Sequence, residues 1–433
     1  MNIRLYNARI LTMEKDRDIF FGEIWIKNDK IAFIEQQSQI DMHMSVPDLP
    51  RINWDVQIDC EGNLLMPGFK NCHTHSGMTF LRSYADDMPL AKWLNEKVFP
   101  AEAKLTPYDI YPFVKLAILE YLTAGITSIF DMYIATEATA KACMDMGMRC
   151  VLVSGLNNFT SSIEKLEQEY LDYNRRSPLL TYQMGCHAEY TCSKELLQKL
   201  SELVHRYEVS VYLHLAETQQ EVKECRERYG MTPAAFLDSL GLFDFGGGGY
   251  HCVHMTDEDM EVFERRGLSV ITNPASNAKL ASGMAPVAEY VKRKIPVAIG
   301  TDGPASNNCL DMFREMFLVA GLSNLREMDA TSVDAMEILR MATVNGSKVM
   351  NLPDTDILAK GKKADIIMID LHQPNMQPIH NIAKNIVYSG SKSNIKMTMI
   401  NGKILYKDGQ FNIGEKPEDI YKACQETLEK LDL

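Results

Sequence analysis

The chain has 433 residues, of which 46% are hydrophobic and 24% are charged, values typical of folded globular proteins and unlike those of disordered chains. Its 45 basic and 58 acidic side chains give a formal net charge of −13, which argues against nucleic acid polymers and anionic membrane surfaces as partners. The N-terminus has no basic stretch followed by an apolar segment, and no apolar run approaches ~20 residues. We therefore expect a soluble, cytoplasmic protein.

The ten cysteines are scattered along the chain, and no pair has the short spacing of a metal knuckle or a redox motif. This pattern argues against a secreted disulfide framework and against a zinc finger. We expect the cysteines to be small core residues in a reducing compartment.

Alternating apolar and polar residues occupy both ends of the chain. The first part contains IRLYNARILTM and EIWIKNDKIAFIEQ, a pattern typical of half-buried antiparallel strands. The last part contains KADIIMIDL and IKMTMINGKILYKDGQ, with hairpin signals at Asn401-Gly402 and Asp408-Gly409. We therefore predict one small β-sandwich built from residues 1–62 and 358–433, with a C-terminal helix after the second part.

Residues 63–357 contain eight apolar, β-branched runs separated by stretches of helical periodicity. Eight such units predict an α/β fold, a closed (β/α)8 barrel of parallel strands. The glycines of residues 246–249 are predicted to form a flexible turn before the sixth strand, and residues 331–350 to form a helical stretch that helps to close the last unit. The eight runs are residues 64–73, 127–133, 150–156, 182–190, 210–217, 249–255, 269–275 and 296–303.

Ionisable side chains cluster where four of these runs end. The motifs are PGFKNCHTHSG with His73 and His75, HLAET with His214 and Glu217, HCVHM with His251 and His254, and GTDGPASNN with Asp302. The C-terminal face of a barrel carries the active site, and unpaired polar groups in a dry core would cost several kcal/mol. Three histidines and one carboxylate suit zinc or ferrous iron with a position left for water, whose proton Glu217 is placed to accept.

At this point the chain resembles the amidohydrolase superfamily, and within it the branch of 5'-methylthioadenosine and S-adenosylhomocysteine deaminases. The resemblance runs from PGFKNCHTHSGMTFLRSYADD through HLAET, HCVHM, NPASNAKLASGMAP and GTDGPASNN to KADIIMIDL, and so covers nearly the whole chain. It implies a single metal ion per subunit, zinc or alternatively iron, with no carboxylated lysine. The implied metal ligands are His73, His75, His214 and Asp302.

The resemblance also implies the reaction, in which water replaces the exocyclic amine of an adenine ring and ammonia leaves a hypoxanthine-type product. Glu217 is expected to carry a proton to a ring nitrogen, His251 to polarise the nucleophile, and Asp302 to help protonate the departing ammonia. Further contacts to the nucleoside substrate are implied for Trp93 at the base, Glu102 at the ribose hydroxyls, His187 near the sugar and Ser306 at the base edge. A homo-oligomer is implied as well.

One feature departs from that branch. Members that use S-adenosylhomocysteine are expected to hold its carboxylate with arginines near the third strand. Between Arg149 and Arg175 this chain has Lys165 as its only basic residue, and Ser154 occupies one such arginine position. We therefore expect an uncharged 5' group, as in 5'-methylthioadenosine, 5'-deoxyadenosine or adenosine, unless a basic side chain from elsewhere or from a neighbouring subunit substitutes.

Other functions stay open. Deamination of guanine, cytosine or a pterin, or hydrolysis of a triazine, would use the same metal site, although NPASNAKL and TDGPASNN favour nucleosides. A non-catalytic relative is expected to have lost ligands, and this chain retains them. His187-Ala188-Glu189 fits half of the cytidine-deaminase signature, but no P-C-x-x-C follows. The remaining histidines, predicted to be surface or packing residues, are His43, His205, His372 and His380.

Overall fold

The computed structural model describes residues 1–36 and 53–433, so His43 lies outside the described residues. The strands are β1 (Asn2–Ile10), β2 (Phe20–Lys27), β3 (Lys30–Gln36), β4 (Val56–Asp59), β5 (Leu64–Pro67), β6 (Phe69–Thr74), β7 (Ile126–Asp131), β8 (Arg149–Val153), β9 (Leu180–Ala188), β10 (Val211–Leu215), β11 (Gly247–His251), β12 (Ser269–Thr272), β13 (Val297–Ile299), β14 (Ile366–Ile369), β15 (Ile395–Ile400), β16 (Lys403–Lys407) and β17 (Gln410–Phe411). The α-helices are Leu90–Trp93, Phe99–Glu102, Pro107–Thr123, Thr136–Met146, Ile163–Arg176, Lys194–Tyr207, Gln219–Tyr229, Pro233–Ser239, Asp257–Arg266, Pro274–Lys279, Val287–Lys292, Met312–Glu327, Ala335–Met341, Val344–Val349, Ile382–Lys384 and Pro417–Leu431.

Strands β6 to β13 form an eight-stranded sheet in which each strand lies beside the next one in the sequence. All of these pairs are parallel. The sheet closes on itself where the Asp302 amide donates to the His73 carbonyl at 2.9 Å. Beside this contact, the Asn71 side chain bonds both the hydroxyl and the amide of Thr301, at 2.7 and 2.9 Å. The predicted (β/α)8 barrel is confirmed.

The outer helices present one apolar face to the barrel. Helix Lys194–Tyr207 buries Leu197, Leu200 and Val204, which recur at intervals of three and four residues and so share one side of the helix. Its N-terminus is capped by the Ser193 hydroxyl, which accepts from the Leu196 amide at 3.2 Å. Burial of each such aliphatic side chain stabilises the fold by about 1.5–3 kcal/mol. Within residues 1–36 and 53–433, no helix has the length and apolar character that a bilayer crossing requires.

Three of the four glycines of residues 246–249 belong to the sixth barrel strand, so the prediction of a turn over this run is wrong, and Gly246 alone precedes the strand. Glycines occupy the first three positions of β11 because the neighbouring strands come very close. A Cβ on Gly248 would lie 2.2 Å from the Ser269 carbonyl oxygen, and one on Gly247 would lie 2.0 Å from that of Val211. The run therefore marks close packing of β11 between β10 and β12.

The stretch 331–350 forms two short helices, Ala335–Met341 and Val344–Val349. The break follows from barrel packing, because the Ala342 carbonyl accepts a 2.8 Å hydrogen bond from the amide of Lys70 in β6. The Thr343 hydroxyl also donates to the Leu339 carbonyl at 2.6 Å. The helical periodicity of the sequence does not show that the Ala342 carbonyl bonds to β6 rather than within a continuous helix.

Both ends of the chain contribute to the second sheet, as predicted. Its strand order is β17-β16-β15-β14-β5-β1-β2-β3, with β4 beside β1, so the nine strands form one continuous sheet. The pairs are antiparallel except for those of β1 with β4 and β5. The sheet encloses its own core, which includes Ile24, Ile26, Ile366 and Met397. The C-terminal helix Pro417–Leu431 reaches the barrel, where Lys430 pairs with Asp109 at 2.7 Å.

The run 64–73, predicted as the first barrel strand, is divided between the two sheets. β5 pairs with β1 and β14, whereas β6 pairs with β7. Gly68 separates the two strands, and a Cβ there would lie 2.0 Å from the Thr127 side chain. A buried bidentate ion pair between Arg149 and Asp365, at 2.7 and 3.0 Å, joins the sheets nearby. The domain limits at 62/63 and 357/358 stay predictions.

Candidate active site

Four histidines and one aspartate meet at the C-terminal ends of the barrel strands. The candidate ligand atoms of His73, His75 and His214 lie within 4.8 Å of one another, and so do those of His73, His251 and Asp302. Oδ1 of Asp302 is 3.2 Å from Nε2 of His75 and 3.5 Å from Nε2 of His73. The structure therefore brings together residues from β6, β10, β11 and the end of β13 that the sequence placed at one face.

The surroundings of His73 fit a bound metal ion. Its ring is fully buried, stacks on Tyr250 with centroids 3.8 Å apart, and has no hydrogen-bond partner for either nitrogen among the described residues. An unsatisfied buried polar group costs about 1–3 kcal/mol. Burial lowers the pKa of His73 well below its ordinary value, so the ring is neutral, the form that binds a metal. A metal ion bound here would satisfy one of the two ring nitrogens.

Hydrogen bonds from the protein orient the other three imidazoles. In each case Nδ1 faces an oxygen that can only accept, so Nδ1 donates its proton there and Nε2 is the nitrogen left to bind a metal ion. The pairs are His75 with the Met132 carbonyl, His214 with the His187 carbonyl at 2.6 Å and His251 with Oδ1 of Asn277 at 2.7 Å. This arrangement directs the Nε2 atoms of all three rings into the site.

Two serine hydroxyls hold Asp302. Ser276 and Ser306 donate to Oδ2 at 2.6 and 2.8 Å, and the Gly303 amide donates to Oδ1 at 2.7 Å. The hydroxyl of Ser306, predicted to lie at a base edge, is thus directed to the aspartate in this structure. Asp302 presents Oδ1 to the histidines.

A buried carboxyl group supports both serine segments from behind. Glu315, on helix Met312–Glu327, accepts from the Ala275 amide at 3.0 Å and from the Asn307 side chain at 2.7 Å. Ala275 precedes Ser276 and Asn307 follows Ser306, so one side chain ties together the two segments that hold Asp302. Burial raises the pKa of Glu315 to about 8.

Glu217 lies beside the cluster at the end of β10. Its Oε2 is 3.9 Å from Nε2 of His251, and its Oε1 accepts from the Ser282 hydroxyl at 3.2 Å. The backbone behind it is fixed by Glu221, which accepts from the Ala216 and Glu217 amides at 2.6 and 2.8 Å. Burial raises the pKa of Glu221 to about 8.

Several site residues adopt a left-handed backbone conformation. The φ angles are +49° at Ala216, +69° at His251, +49° at Cys252 and +59° at Asp302. Such conformations are uncommon for residues other than glycine, and they concentrate at active sites, where the surrounding structure maintains them. The tight bends turn the side chains at the strand ends toward the barrel axis, and no feature of the sequence indicates them.

The residues predicted to contact substrate lie in two environments. The His187 ring centroid is 4.7 Å from that of His214, and burial lowers the pKa of His187 to about 4. Burial also raises the pKa of Glu102, against the opposing effects of the Tyr133 hydroxyl and of His75. His187 and Glu102 thus adjoin the cluster. Trp93, 6% exposed, packs in the main hydrophobic core.

The other histidines make contacts outside the cluster. Nε2 of His254 bonds the Ser282 carbonyl at 2.7 Å, and His205 pairs with Asp244 on the surface at 2.9 Å. His372 is exposed and bonds the Glu61 carbonyl at 2.8 Å, and His380 is exposed.

Several residues that shape the site were not singled out from the sequence. They are Glu221, Tyr250, Ser276, Asn277, Ser282 and Glu315. A signal existed for Ser276, Asn277 and Ser282, because NPASNAKLASGMAP directly follows a barrel strand. The sequence contains no such signal for Glu315, which looks like any other polar residue of a barrel helix.

Comparison with known proteins agrees with this geometry. The model of the amidohydrolase family matches residues 64–405. A 5-methylthioadenosine/S-adenosylhomocysteine deaminase of Caldicellulosiruptor saccharolyticus is 38% identical over 99% of this chain and 100% of its own, and a 5'-deoxyadenosine deaminase of Methanosarcina mazei is 37% identical over 100% and 99%. The crystal structure of an adenosine deaminase from Xanthomonas campestris with bound zinc superposes with a TM-score of 0.91, at 28% identity over 100% of this chain and 98% of that one. The chain belongs to the amidohydrolase family.

Proposed function

We propose that this protein is a metal-dependent deaminase that converts the adenine of a 5'-modified adenosine to hypoxanthine and releases ammonia. One observation carries the proposal: Glu217 and His251 face each other 3.9 Å apart, directly beside the candidate ligand cluster. A proton-transferring carboxylate next to a metal site is what hydrolysis of an aminated ring needs. The names of the relatives support adenosine-type substrates.

The metal ligands in this proposal are His73, His75, His214 and Asp302, with zinc as the ion and iron as the alternative. Such an ion would lower the pKa of a water molecule and thereby supply a nucleophile near neutral pH. The unsatisfied nitrogens of His73 and the matched tautomers of His75 and His214 support this set.

The chain's own residues move the protons. His251 accepts a hydrogen bond from the attacking water at Nε2, because its Nδ1 proton is held by Asn277. Glu217 takes one water proton at Oε2 and transfers it to the ring nitrogen beside the carbon under attack. The new C–O bond forms on that carbon, Asp302 passes the second water proton to the exocyclic nitrogen, and the C–N bond breaks to release ammonia.

The 5' group in this proposal is uncharged. Arg149 lies at the start of β8, at the end of the barrel opposite the ligand cluster, and is paired with Asp365. Lys165 lies on helix Ile163–Arg176, half exposed and 3.8 Å from Glu169, and Arg175 lies in the last turn of that helix. Ser154 is buried, and its hydroxyl accepts from the Leu156 amide at 3.1 Å. These placements favour 5'-methylthioadenosine, 5'-deoxyadenosine or adenosine over S-adenosylhomocysteine.

The remaining substrate contacts belong to the proposal as well. Glu102 would bind the ribose hydroxyls and His187 would approach the sugar, since both adjoin the cluster. Trp93 and Ser306 would border the base. The ten cysteines are free, which supports a reducing compartment, the cytoplasm.

Ammonia release by the zinc-loaded protein tests the function. The substrates are 5'-methylthioadenosine, 5'-deoxyadenosine, adenosine, S-adenosylhomocysteine, guanine and cytosine. Glu217→Gln is expected to lower kcat by about 10²–10⁴-fold while the protein keeps its zinc. Glu227→Gln, an exposed glutamate of the next helix, is the matched control and keeps full activity.

The possible outcomes test the reaction, the preference for an uncharged 5' group and the nucleoside assignment separately. Turnover of the uncharged adenosines, abolished by Glu217→Gln, supports both the reaction and the 5' preference. S-Adenosylhomocysteine as the best substrate would contradict the 5' preference alone. Turnover of a free base alone, or of no compound, would contradict the nucleoside deaminase.

A further inference from the structure

Helix Met312–Glu327 is apolar on two opposite faces. The inner face packs Phe313, Met316 and Ala320 into the barrel. The outer face carries a stripe of apolar residues and one glycine, which continues into the residue after the helix. Its members are the adjacent Phe317 and Leu318, then Gly321, Leu325 and Met328 at three- and four-residue intervals. Phe317 is 51% exposed, Leu325 65% and Met328 87%. A helix that is hydrophobic all round is expected to be buried on both sides.

Other outer helices of the barrel differ in this respect. Helices Lys194–Tyr207 and Ile163–Arg176 expose mainly charged and polar side chains, as surface helices do. A contiguous apolar patch on a chain with a net charge of −13 marks an interaction surface. The stripe extends toward the loop before Val287–Lys292, because Arg326 donates to the carbonyl of the exposed Met284 at 2.5 Å.

Gly321 lies in the middle of the stripe. Glycine is among the least favourable residues in a helix interior, and here a Cβ would meet no atom within 4 Å. Nothing inside the described subunit therefore requires glycine. A small residue at the centre of an exposed helix face allows another helix to approach closely, since the interaxial distance depends on the side chains at the crossing point.

The charges at the two ends of the stripe are opposite in sign. Arg314 marks the N-terminal end, is exposed, and forms no ion pair among the described residues. Glu327 and Asp329 lie at the C-terminal end together with Arg326, which is 3.8 Å from Glu327. Two acidic groups against one basic group leave this end net negative, and the helix dipole adds partial negative charge. Two copies of the helix, packed antiparallel, would set Arg314 of each against the acidic end of the other.

We propose that this stripe is the contact through which two copies of the chain assemble, with the two helices antiparallel and Gly321 near the two-fold axis. An isologous contact needs a surface that complements itself, and the central glycine, flanking apolar residues and opposite end charges meet that requirement. The contact would cover Met284, in the same loop as the Ser282 that holds Glu217. The proposed contact surface therefore lies beside the loop that supports Glu217.

Sedimentation of the full chain at several protein concentrations tests the proposal without any assay of activity. The wild type is expected at twice the subunit mass or an even multiple. Leu325→Glu and Gly321→Leu are expected to weaken the association at least tenfold, and a Cβ at position 321 meets no atom of the subunit within 4 Å. Tyr108→Glu, a replacement of an exposed aromatic residue on another barrel helix, is the control and keeps the wild-type mass.

A charge reversal tests the antiparallel arrangement. Arg314→Glu and Asp329→Arg, each alone, place like charges opposite one another and weaken the association, whereas the double variant restores it. A wild type that stays monomeric, or an assembly unaffected by Leu325→Glu and Gly321→Leu, would overturn the proposal. Circular dichroism and the unfolding temperature verify that each variant is folded, so loss of fold is distinguishable from loss of contact.

Discussion

The Ser276 hydroxyl donates a 2.6 Å hydrogen bond to Oδ2 of Asp302, while Oδ1 of the same carboxylate lies 3.2 Å from His75. Ser276→Ala should therefore lower metal affinity or kcat by about 10–100-fold, because supporting hydrogen bonds orient metal ligands. Zinc retention against a competing chelator and steady-state kinetics measure both effects. Ser239→Ala, whose hydroxyl bonds only a helix carbonyl, is the control. Unchanged zinc retention and rate in Ser276→Ala would contradict this role.

Glu315→Gln should lower the free energy of unfolding by about 1–3 kcal/mol, since one of the two donors that Glu315 accepts from would lose its partner. The effect should depend on pH. The pKa of Glu315 is about 8 in the folded protein against 4.5 ordinarily, so the folded state holds an extra proton between these values and stability falls as pH rises through them. Urea unfolding at pH 5 and pH 8 measures this slope, which should be smaller in the Gln variant. Part of the slope remains, because the pKa of Glu221 is also raised to about 8.

Arg149→Met should destabilise the protein by about 3–5 kcal/mol, because it leaves Asp365 as a buried charge without its partner. Burial alone would raise the pKa of Asp365, but Arg149 holds it below its ordinary value. The pair therefore stabilises the fold above the unfolded pKa of an aspartate, and this contribution is lost as pH falls. Chemical unfolding of Arg149→Met, and of a double variant with Asp365→Asn, measures the coupling. A double variant as unstable as Arg149→Met would contradict an uncompensated charge as the cause.

Removal of metal should lower the unfolding temperature, because the nitrogen of His73 that would bind the ion then stays unsatisfied and its binding free energy is lost. Zinc at a thousandfold excess over its dissociation constant should restore about 4 kcal/mol. Calorimetry of the chelator-treated protein, with and without zinc, measures this shift. Glu217→Gln should keep the zinc response, and His73→Ala should lose it. An equal response in His73→Ala would exclude His73 as a ligand.

The sequence predicted the barrel because its eight strand runs are apolar and alternate with helical stretches. It predicted the active-site face because His73, His214, His251 and Asp302 lie in the C-terminal parts of the strands that these runs form. Those features are local in sequence. The motif NPASNAKL was read as favouring a nucleoside, whereas Ser276 and Asn277 in it bond the side chains of Asp302 and His251. The motif alone does not predict these two hydrogen bonds, because they depend on which strands become neighbours in the barrel.

Features that depend on distant contacts could not be predicted. Glu315 lies 40 residues from Ala275 in the sequence and bonds it only because helix Met312–Glu327 packs against helix Pro274–Lys279. The glycines of β11 suggested a turn, since sequence alone does not show that the Ser269 carbonyl occupies the space of a side chain. Left-handed φ angles at His251 and Asp302 likewise arise from the closed barrel.

The passage of the chain from β5 to β6 limits how this protein can be divided. Four residues, Leu64–Pro67, form the middle of the terminal sheet between β1 and β14, and a single glycine separates them from the strand that carries His73. A fragment that began at β5 would expose an apolar strand with two open edges, a template for aggregation. Isolated barrel fragments are therefore expected to be insoluble, and recombination between relatives should succeed only when both ends of the chain are exchanged together with the catalytic barrel.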